Sequence, residues 1–275
     1  MILNKKNFSL KKPSIMGICN ITLDSFSDGG KNYKTEDALK NISKMHKEGA
    51  KIIDIGAEST RPGSNPITYL DEIKRLEPIL KKIPKNKFVI SVDTNKIETQ
   101  EFVLEMGAHI INDVLGGSKD LFYLTSKYKN GLVLTHTPSK PKNMQRKTNT
   151  YNNLIKDIKK YFLIRKKIID QYNIPYKKVW LDPGIGFGKN LKQNLQIISN
   201  IEKFKLNNFG LLIGLSRKSW ISKINKSDVK NRIGGSLAGL IYLLRKNVDI
   251  LRVHDVFESN QAIQVYNKIL CSKLK

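Results

Sequence analysis

Eight short apolar runs recur along the 275-residue chain, and an amphipathic segment separates each run from the next. A short apolar run bounded by turn residues is typical of a buried β-strand, and apolar residues spaced three and four apart are typical of a helix. Their regular alternation predicts βαβ units with a parallel sheet. The predicted strands are Ser14–Cys19, Lys51–Gly56, Phe88–Val92, His109–Ile111, Leu132–Thr135, Val179–Leu181, Leu211–Gly214 and Ile250–Val253.

The segments between these strands carry the apolar spacing of helices. The positions that define it are Ala38, Leu39, Ile42 and Met45; Leu70, Ile73, Leu76 and Leu80; Leu154, Ile155, Ile158, Phe162 and Ile169; and Ala262, Ile263, Tyr266, Ile269 and Leu270. About six to eight such units can also form an open doubly wound sheet, but eight in a chain of this length fit a closed barrel better. We therefore predict an α/β fold: a single (β/α)8 TIM barrel domain over residues 1–275, with 1–13 as an N-terminal extension or a segment at the barrel bottom.

The net charge of +25 has two interpretations. Lysines and arginines clustered on one face and interleaved with aromatic residues indicate a nucleic-acid surface. Here the lysines are spread along the whole chain without that interleaving, which is typical of a solvated surface. We predict no specific nucleic-acid partner, although the positive field can attract an anionic substrate.

Cysteines and apolar segments point to the cytoplasm. Cys19 and Cys271 lie too far apart in sequence to indicate a disulfide framework or a zinc cluster. The N-terminal residues MILNKKNFSLKKP contain no apolar signal region. The longest apolar runs, around Leu211–Leu215 and Leu237–Leu244, are too short to span a bilayer. We predict a cytoplasmic protein without a membrane partner.

Polar residues follow every predicted strand at its carboxyl end. A barrel gathers these ends at one mouth, where enzymes of this fold keep their active sites. We therefore predict that the residues form one ring with a catalytic function. In strand order they are Asn20; Asp54 and Glu58; Asp93 and Thr94; Asn112 and Asp113; His136; Asp182 with Lys189; Ser216, Arg217, Lys218 and Ser219; and Arg252, His254 and Asp255.

Three of these residues have a structural alternative of the same kind. An Asp after a strand frequently caps the next helix, so Asp93 and Asp182 are either ligand-binding or capping residues. Asn is common in turns, so Asn112 is either a ligand-binding or a turn residue. The sequence leaves both interpretations open.

The basic residues at the strand ends also have structural alternatives, and Asp54 has a favoured one. Arg217 and Lys218 follow an apolar strand and precede a helix, which favours an anion site over a solvated pair. His254 is either a ligand-binding or a structural histidine. Asp54 is interpreted as structural, with Arg61 as its expected partner.

The segments that carry these residues resemble the signature motifs of the dihydropteroate synthase family. MGICNITLDSFSDGG at Met16–Gly30 resembles the first motif, and IIDIGAESTRPG at Ile52–Gly63 resembles the second. The further matching motifs are SVDT from Ser91, GAHIIND from Gly107, LDPGIGFGKN from Leu181, GLSRKS from Gly214, GGSLA from Gly234 and RVHD from Arg252. They occur in the family order and cover nearly the whole chain, so the resemblance is highly specific.

The resemblance implies a fold, a reaction and a cofactor. Members of the family are (β/α)8 barrels, usually homodimers, that make 7,8-dihydropteroate in folate biosynthesis. They displace pyrophosphate from 6-hydroxymethyl-7,8-dihydropterin pyrophosphate with the amine of p-aminobenzoate and require Mg²⁺. The chain is therefore expected to be a transferase that uses these two small-molecule substrates, and a sulfonamide target.

The matching positions suggest how the pterin is held. Asp182 is expected to accept hydrogen bonds from the 2-amino group and the ring N–H, because a carboxylate offers two acceptor oxygens. Asn112 is expected to meet the opposite side of the pyrimidine ring. Asp93 is expected near the ring nitrogens, and Lys218 is expected to donate towards the pterin carbonyl and N5.

Other matching positions are expected to bind the diphosphate and its metal. Asn20 is expected to be the Mg²⁺ ligand, as a hard oxygen donor beside phosphate oxygens. Thr60, Arg252 and His254 are expected to hold the pyrophosphate.

The p-aminobenzoate pocket is expected to form when the loops after the first two strands close. Closure would exclude water from the reaction. Ser219, at a predicted helix start, is expected to bind the benzoate carboxylate. The other expected pocket residues are Phe26, Arg61, Pro62 and Phe187.

The hypothesis for the mechanism is SN1-like. Pyrophosphate leaves first, with help from Arg252 and His254, and Asp93 and Asp182 stabilise the cationic methylene. The neutral amine then attacks. With Lys218, these four residues are the expected catalytic set.

The chain departs from the family pattern at a few positions. Leu23 replaces a usual proline, which removes a fixed φ and makes the first loop more mobile. Ala57 replaces a usual glycine, and Thr135 stands where an apolar residue often faces the pterin. Residues 136–145 keep part of the family pattern.

Two other functions remain as alternatives. A methyltetrahydrofolate-dependent methyltransferase shares the pterin-binding barrel, but it lacks the anion sites of the SRKS and RVHD motifs. A pterin- or nucleic-acid-binding protein that has lost catalysis is the second alternative. The retained Lys218, Arg252 and His254 argue against both.

Overall fold

A closed parallel barrel forms the centre of the protein. The computed structural model describes residues 1–21, 31–58, 66–138, 151–206 and 208–272. Two short antiparallel strands, β1 (Ile2–Leu3) and β2 (Lys6–Asn7), come first. The barrel strands follow as β3 (Ser14–Asn20), β4 (Ile52–Gly56), β5 (Val89–Asp93), β6 (Ile110–Asp113), β7 (Gly131–Thr135), β8 (Val179–Asp182), β9 (Gly210–Ile213) and β10 (Ile250–Val253).

Each barrel strand pairs with its neighbour in the sequence, and β10 pairs in parallel with both β9 and β3. The last pairing closes the sheet, so the barrel prediction is confirmed and the open doubly wound sheet is excluded. All eight predicted strands are present, and their ends agree with the prediction to within two residues.

Helices connect the strands on the outside of the barrel. In the described residues they are α1 (Lys31–Lys47), α2 (Tyr69–Lys82), α3 (Ile97–Glu105), α4 (Lys119–Tyr128), α5 (Leu154–Gln171), α6 (Leu191–Ser199), α7 (Ser219–Ile224), α8 (Ile233–Leu244) and α9 (Val256–Ser272). None of these helices is long and apolar enough to cross a membrane.

The last helix differs from the expected amphipathic pattern. α9 buries Val256, Ser259 and Ile263 in its first half. Ile269 and Leu270, which the spacing assigns to the buried face, are 55% and 43% exposed. The spacing predicts the helix correctly but cannot show that its second half is left uncovered by the described residues.

An apolar layer fills the lower half of the barrel. Because side chains alternate in a strand, each strand sends every second residue inwards. The residues of this layer are Met16, Ile52, Val89, Ile110, Val133, Trp180, Leu212 and Ile250. Leu3, fully buried, packs against them from the β1–β2 hairpin, with Phe8 and Leu10 beside it. The hairpin therefore plugs the bottom of the barrel.

The next inward positions, two residues further along each strand, are mostly polar. They are Ile18, Asp54, Ser91, Asn112, Thr135, Asp182, Gly214 and Arg252. This polar layer lies directly above the apolar layer, towards the carboxyl ends of the strands. The upper half of the barrel therefore contains charged and hydrogen-bonding groups where branched apolar residues usually fill the core of this fold.

The packing of Leu3 at the bottom of the barrel predicts that its side chain contributes to the free energy of unfolding. Leu3→Ala should lower the free energy of unfolding by about 2–5 kcal/mol, because it leaves a cavity under the apolar layer. Urea unfolding followed by circular dichroism measures this loss. The control is Ile2→Ala on the same hairpin: Ile2 is 58% exposed, so its loss should stay within about 0.5 kcal/mol. Equal losses in both variants would contradict the plug.

Candidate active site

Arg252 connects two carboxylates across the barrel interior. Its Nε donates to Asp54 Oδ2 at 2.6 Å, and its Nη2 donates to Asp93 Oδ2 at 2.8 Å. Asp54 comes from β4, Asp93 from β5 and Arg252 from β10, so one guanidinium ties together strands from both ends of the sequence. Burial alone would lower the pKa of Arg252, but the two carboxylates raise it above its ordinary value.

Asp54 is fully buried, and its carboxylate has several hydrogen-bond partners. Besides Arg252, Ser91 Oγ donates to Oδ1 at 2.6 Å and Asn112 Nδ2 donates to Oδ2 at 3.0 Å. A buried carboxylate is tolerated when it is paired and hydrogen-bonded in this way. Asp54 is therefore a positioning residue for Arg252 and Asn112. Its expected partner, Arg61, lies outside the described residues.

Asp93 has one buried oxygen without a hydrogen-bond partner among the described residues. Arg252 occupies Oδ2, and Oδ1 is buried with no hydrogen-bond partner in the described part of the chain. Burial raises the pKa of Asp93 above its ordinary value, and Arg252 opposes the shift. Asp93 does not cap α3, whose N-cap residue is Lys96. The structure thus favours the ligand-binding interpretation over the capping one.

Asp182 is 5% exposed at the end of β8. Gly184 N donates to its Oδ1 at 2.8 Å. Burial raises the pKa of Asp182, and the positive charge of Lys218 opposes the shift. α6 is capped by Asn190, so Asp182 is not a helix cap either.

The turn after Asp182 requires glycine. Gly184 has a φ of +72°, and a Cβ there would lie 2.0 Å from the carbonyl oxygen of His136. A side chain at this position would push the turn away from the end of β7. The glycine therefore allows the Asp182 loop to lie against the neighbouring strand.

Lys218 reaches the mouth from the N-terminus of α7. Its ammonium lies 4.7 Å from the centre of the Phe187 ring and donates to the carbonyl of Ile185. Burial lowers the pKa of Lys218 to about 8, and the negative charge of Asp182 opposes the shift. Lys218, Phe187 and Asp182 therefore lie together at the mouth, and Lys218 Nζ and Arg252 Cδ flank the same space beside Gly214.

Arg217 does not join this cationic group. It adopts a left-handed conformation with φ of 57°, and its Nε donates to Asp255 Oδ2 at 3.0 Å. Because Asp255 pairs with this guanidinium, the structure favours Lys218 over Arg217 as the cation of the predicted anion site. Sequence proximity could not show that two adjacent basic residues face different partners.

His254 lies at the rim, where it stays partly open to solvent. Its Nδ1 is 3.2 Å from Ser216 Oγ. Desolvation by the surrounding protein lowers the pKa of His254 to about 4, and Arg252 and Arg217 add to the shift. The imidazole is therefore neutral near pH 7 and can donate a hydrogen bond without carrying charge.

Asn20 ends β3 on the same side of the mouth as Asp93. It pairs with Gly56, which pairs in turn with Asp93. A Cβ at Gly56 would lie 3.4 Å from Asn20 Oδ1, so the glycine keeps the space beside this amide open. In the described ranges no cluster of three or more His, Cys, Asp or Glu residues could hold a metal ion.

Two further predicted site residues can be placed. Ser219 is exposed as the first residue of α7, next to Lys218, and Asn112 is buried between Asp54 and the mouth. The remaining ones lie outside the described residues: Thr60 and Arg61, together with Phe26, Pro62 and Leu23 of the two loops.

One buried cation of the predicted ring has partners that the sequence does not show. Lys189 is 2% exposed, and its ammonium donates to the carbonyl oxygens of His136, Gly184 and Phe187. Burial lowers the pKa of Lys189 to about 7, and Asp182 opposes the shift. Its position in the motif LDPGIGFGKN marks it as part of the site, but no sequence pattern shows that it faces backbone carbonyls.

The arrangement brings two kinds of polar group to one mouth. Asp93, Asp182 and Asn112 offer acceptors and an amide, which suits a flat heterocycle with several N–H donors. Arg252, His254 and Lys218 offer donors and positive charge, which suits an anionic group attached to that heterocycle.

Comparisons with known proteins identify the family of this chain. The family model described as "Pterin binding enzyme" matches residues 16–254. The dihydropteroate synthase of Escherichia coli (strain K12) is 38% identical over 270 residues, which cover 97% of this chain and 95% of that protein.

Solved structures show the same likeness. The dihydropteroate synthase of Yersinia pestis with a sulfonamide drug complex has a TM-score of 0.90 at 33% identity and covers 98% of this chain and 99% of its own. The Burkholderia cenocepacia enzyme complexed with 7,8-dihydropteroate has a TM-score of 0.88 at 26% identity and covers 98% and 96%. This chain therefore belongs to the pterin binding enzymes, and among them to the dihydropteroate synthase family.

Proposed function

We propose that the chain is a dihydropteroate synthase, a transferase that joins 6-hydroxymethyl-7,8-dihydropterin pyrophosphate to p-aminobenzoate in folate biosynthesis. One observation carries this conclusion beyond family membership. Asp182, Lys218 and Arg252 come from three different strand ends and meet at one mouth, where their charges influence one another. The reaction releases 7,8-dihydropteroate and pyrophosphate.

The acceptor groups at the floor bind the pterin. Asp182 accepts from the 2-amino group and the adjacent ring N–H, and a charged acceptor makes these bonds stronger than neutral ones. Asn112 donates one N–H of its Nδ2 to Asp54, and its amide would meet the opposite side of the pyrimidine ring with its second N–H as a donor and its Oδ1 as an acceptor. Asp93 Oδ1, buried without a partner among the described residues, gains a donor from the ring nitrogens. Lys218 donates to the pterin carbonyl and N5.

The diphosphate lies towards the rim, against Arg252, His254 and Thr60. Arg252 carries a permanent charge and is fixed by Asp54. His254 is held neutral by its surroundings, so it contributes a hydrogen bond to the departing oxygen atoms. Both residues stabilise the leaving group as negative charge accumulates on it.

Asn20 fits the role of a Mg²⁺ ligand. Magnesium in phosphate sites keeps several waters and takes one or two protein oxygens, with the rest from the substrate. A single amide oxygen beside the open space at Gly56 is consistent with this preference. The cation supplies neutralisation of the diphosphate when it is bound.

Bond breaking precedes bond making in the proposed reaction. The bond between the pterin methylene and the diphosphate oxygen breaks, and its electron pair leaves with the diphosphate. The carboxylates of Asp93 and Asp182 stabilise the cationic methylene and ring. The neutral amine of p-aminobenzoate attacks the methylene and then loses a proton.

The p-aminobenzoate pocket forms around Phe187. Its ring packs beside the ammonium of Lys218. Ser219, which directly follows Lys218 and begins α7, binds the benzoate carboxylate. Phe26, Arg61 and Pro62 complete the pocket in the proposal. A sulfonamide competes with p-aminobenzoate there, as the drug complex of the Yersinia pestis relative suggests.

We further propose that the enzyme is a cytoplasmic homodimer without a specific nucleic-acid partner. The family resemblance supports the dimer, and the soluble substrates support the compartment. The dispersed lysines of the sequence support the absence of a nucleic-acid site. Size-exclusion chromatography with light scattering tests the dimer directly.

A coupled assay for pyrophosphate release distinguishes this function from its alternatives. A dihydropteroate synthase releases pyrophosphate only when p-aminobenzoate and Mg²⁺ are both present. A methyltransferase releases none, and an inactive pterin-binding protein binds the pterin without turnover. Absence of p-aminobenzoate-dependent release would refute the proposed activity.

Asp182→Asn should abolish turnover and weaken pterin binding. One acceptor oxygen becomes a donor that faces the donors of the ring, so the Kd for the pterin pyrophosphate should rise by about 10- to 100-fold. Isothermal titration and the release assay measure the two effects. Asp249→Asn is the control, because Asp249 is equally buried but binds Leu211 N on the amino-terminal side of β10. Normal activity in Asp182→Asn would refute the role of Asp182.

The pH profile should show Lys218 on its alkaline side. The ammonium is the form that donates to the pterin, and its pKa is lowered to about 8. Therefore kcat/KM for the pterin pyrophosphate should fall as the pH rises through that value, since this ratio reports groups of the free enzyme. In Lys218→Arg the guanidinium stays charged, so the residual activity should lose this alkaline decline. An unchanged alkaline limb in Lys218→Arg would assign the titration to another group.

A further inference from the structure

Lys189 is a buried cation whose ammonium is surrounded by backbone carbonyls. Its Nζ lies 3.2 Å from His136 O, 2.9 Å from Gly184 O and 2.9 Å from Phe187 O. An ammonium has three N–H donors, so these contacts use all of them. No donor remains for a ligand, and Lys189 forms no ion pair with a described residue.

The three carbonyls belong to segments that form the site. His136 directly follows β7, while Gly184 and Phe187 belong to the loop after β8. Gly184 also donates its N–H to Asp182 Oδ1. Lys189 and Asp182 therefore hold the same residue from its two ends, one through the carbonyl and the other through the amide.

Asn194 holds the rest of this loop. Its Oδ1 accepts from Gly186 N at 2.7 Å, and its Nδ2 donates to Lys189 O at 3.0 Å. The side chain of Lys189 and that of Asn194 thus fix opposite sides of the segment between Asp182 and Lys189. This segment carries Phe187, whose ring packs beside Lys218.

We propose that Lys189 is a positioning residue that sets the carboxylate of Asp182 and the ring of Phe187 relative to each other. It binds no substrate itself. By holding both residues it fixes the distance between the pterin and the p-aminobenzoate, which decides how well the amine meets the methylene. The inference rests on the proposed function for these two subsites.

A gain in stability does not by itself explain why a buried lysine stands at position 189. Burying an ammonium removes its hydration, which is unfavourable. Desolvation is strong enough here to lower the pKa of Lys189 to about 7. The carbonyls stay together because the ammonium attracts all three, and a methionine would leave them unpaired and mutually repulsive.

The test compares two lysine-to-methionine variants of the full chain. Lys189→Met removes the proposed positioning group. Lys178→Met is the matched control, because Lys178 is also buried and donates to one backbone carbonyl, Lys129 O at 2.8 Å, but lies at the amino-terminal end of β8. Urea unfolding, calorimetric binding of the pterin pyrophosphate and the kinetics of pyrophosphate release are measured on both.

Lys189→Met should lower kcat/KM for p-aminobenzoate by on the order of 10- to 100-fold, as a small misplacement of reacting groups does. Amide hydrogen exchange in residues 182–189 should accelerate in the unliganded variant. Lys178→Met should lose stability but keep its kinetic constants and its exchange in that segment. Lys189→Gln, which has two N–H donors where methionine has none, should recover part of the activity. The same kinetic and exchange measurements are made on Lys189→Gln if the methionine variant does not fold.

Kinetic constants within twofold of wild type in Lys189→Met, with unchanged exchange in 182–189, would overturn the inference. So would equal kinetic losses in the Lys189 and Lys178 variants, since these would reflect a general loss of stability. An inactive wild type would instead refute the proposed function, and the exchange measurement would still report whether Lys189 holds the turn.

Discussion

The pairing of Arg252 with Asp54 and Asp93 is the interaction on which the rest of the site depends. Two carboxylates on adjacent strands in a barrel interior repel each other and lose their hydration. The guanidinium offsets both costs because its planar fork reaches the two groups at once. Without it, the upper half of the barrel could not hold a layer of charged residues above the apolar layer that Leu3 closes from below.

The same pairing decides which polar groups at the mouth can meet a ligand. Asp54 uses its oxygens on Arg252, Ser91 and Asn112, so it orients other residues and does not face the ligand. Among the described residues Asp93 keeps one oxygen without a hydrogen-bond partner, and Asp182 is held by the turn at Gly184. Acceptor oxygens and positively charged donors therefore meet at one mouth. A pterin with a diphosphate tail matches this combination, and a cation formed on loss of the diphosphate would lie between carboxylates that are already in place.

Much of this could be predicted from the sequence, because it depends on local pattern. Apolar runs followed by polar residues identified all eight strands and the ends at which the site lies. The partners of each polar group could not be predicted, because pairing is set by strands far apart in the chain. The pairing of Arg217 with Asp255 and the pairing of Asp54 with Arg252 join residues far apart in the sequence, and neither was predicted. Lys189 belongs to the predicted ring, but its partners could not be predicted because they are backbone carbonyls, which no side-chain pattern encodes.

A double-mutant cycle on unfolding free energy tests the central pairing most directly. Arg252→Met leaves Asp54 and Asp93 buried without their cation, and Asp54→Asn removes one of the two charges while it keeps the shape of the side chain. If Arg252 neutralises Asp54, the double variant should be more stable than Arg252→Met alone, by about 1 kcal/mol or more, although it carries an additional substitution. Losses that simply add in the double variant would show that the two side chains do not depend on each other and would contradict the account.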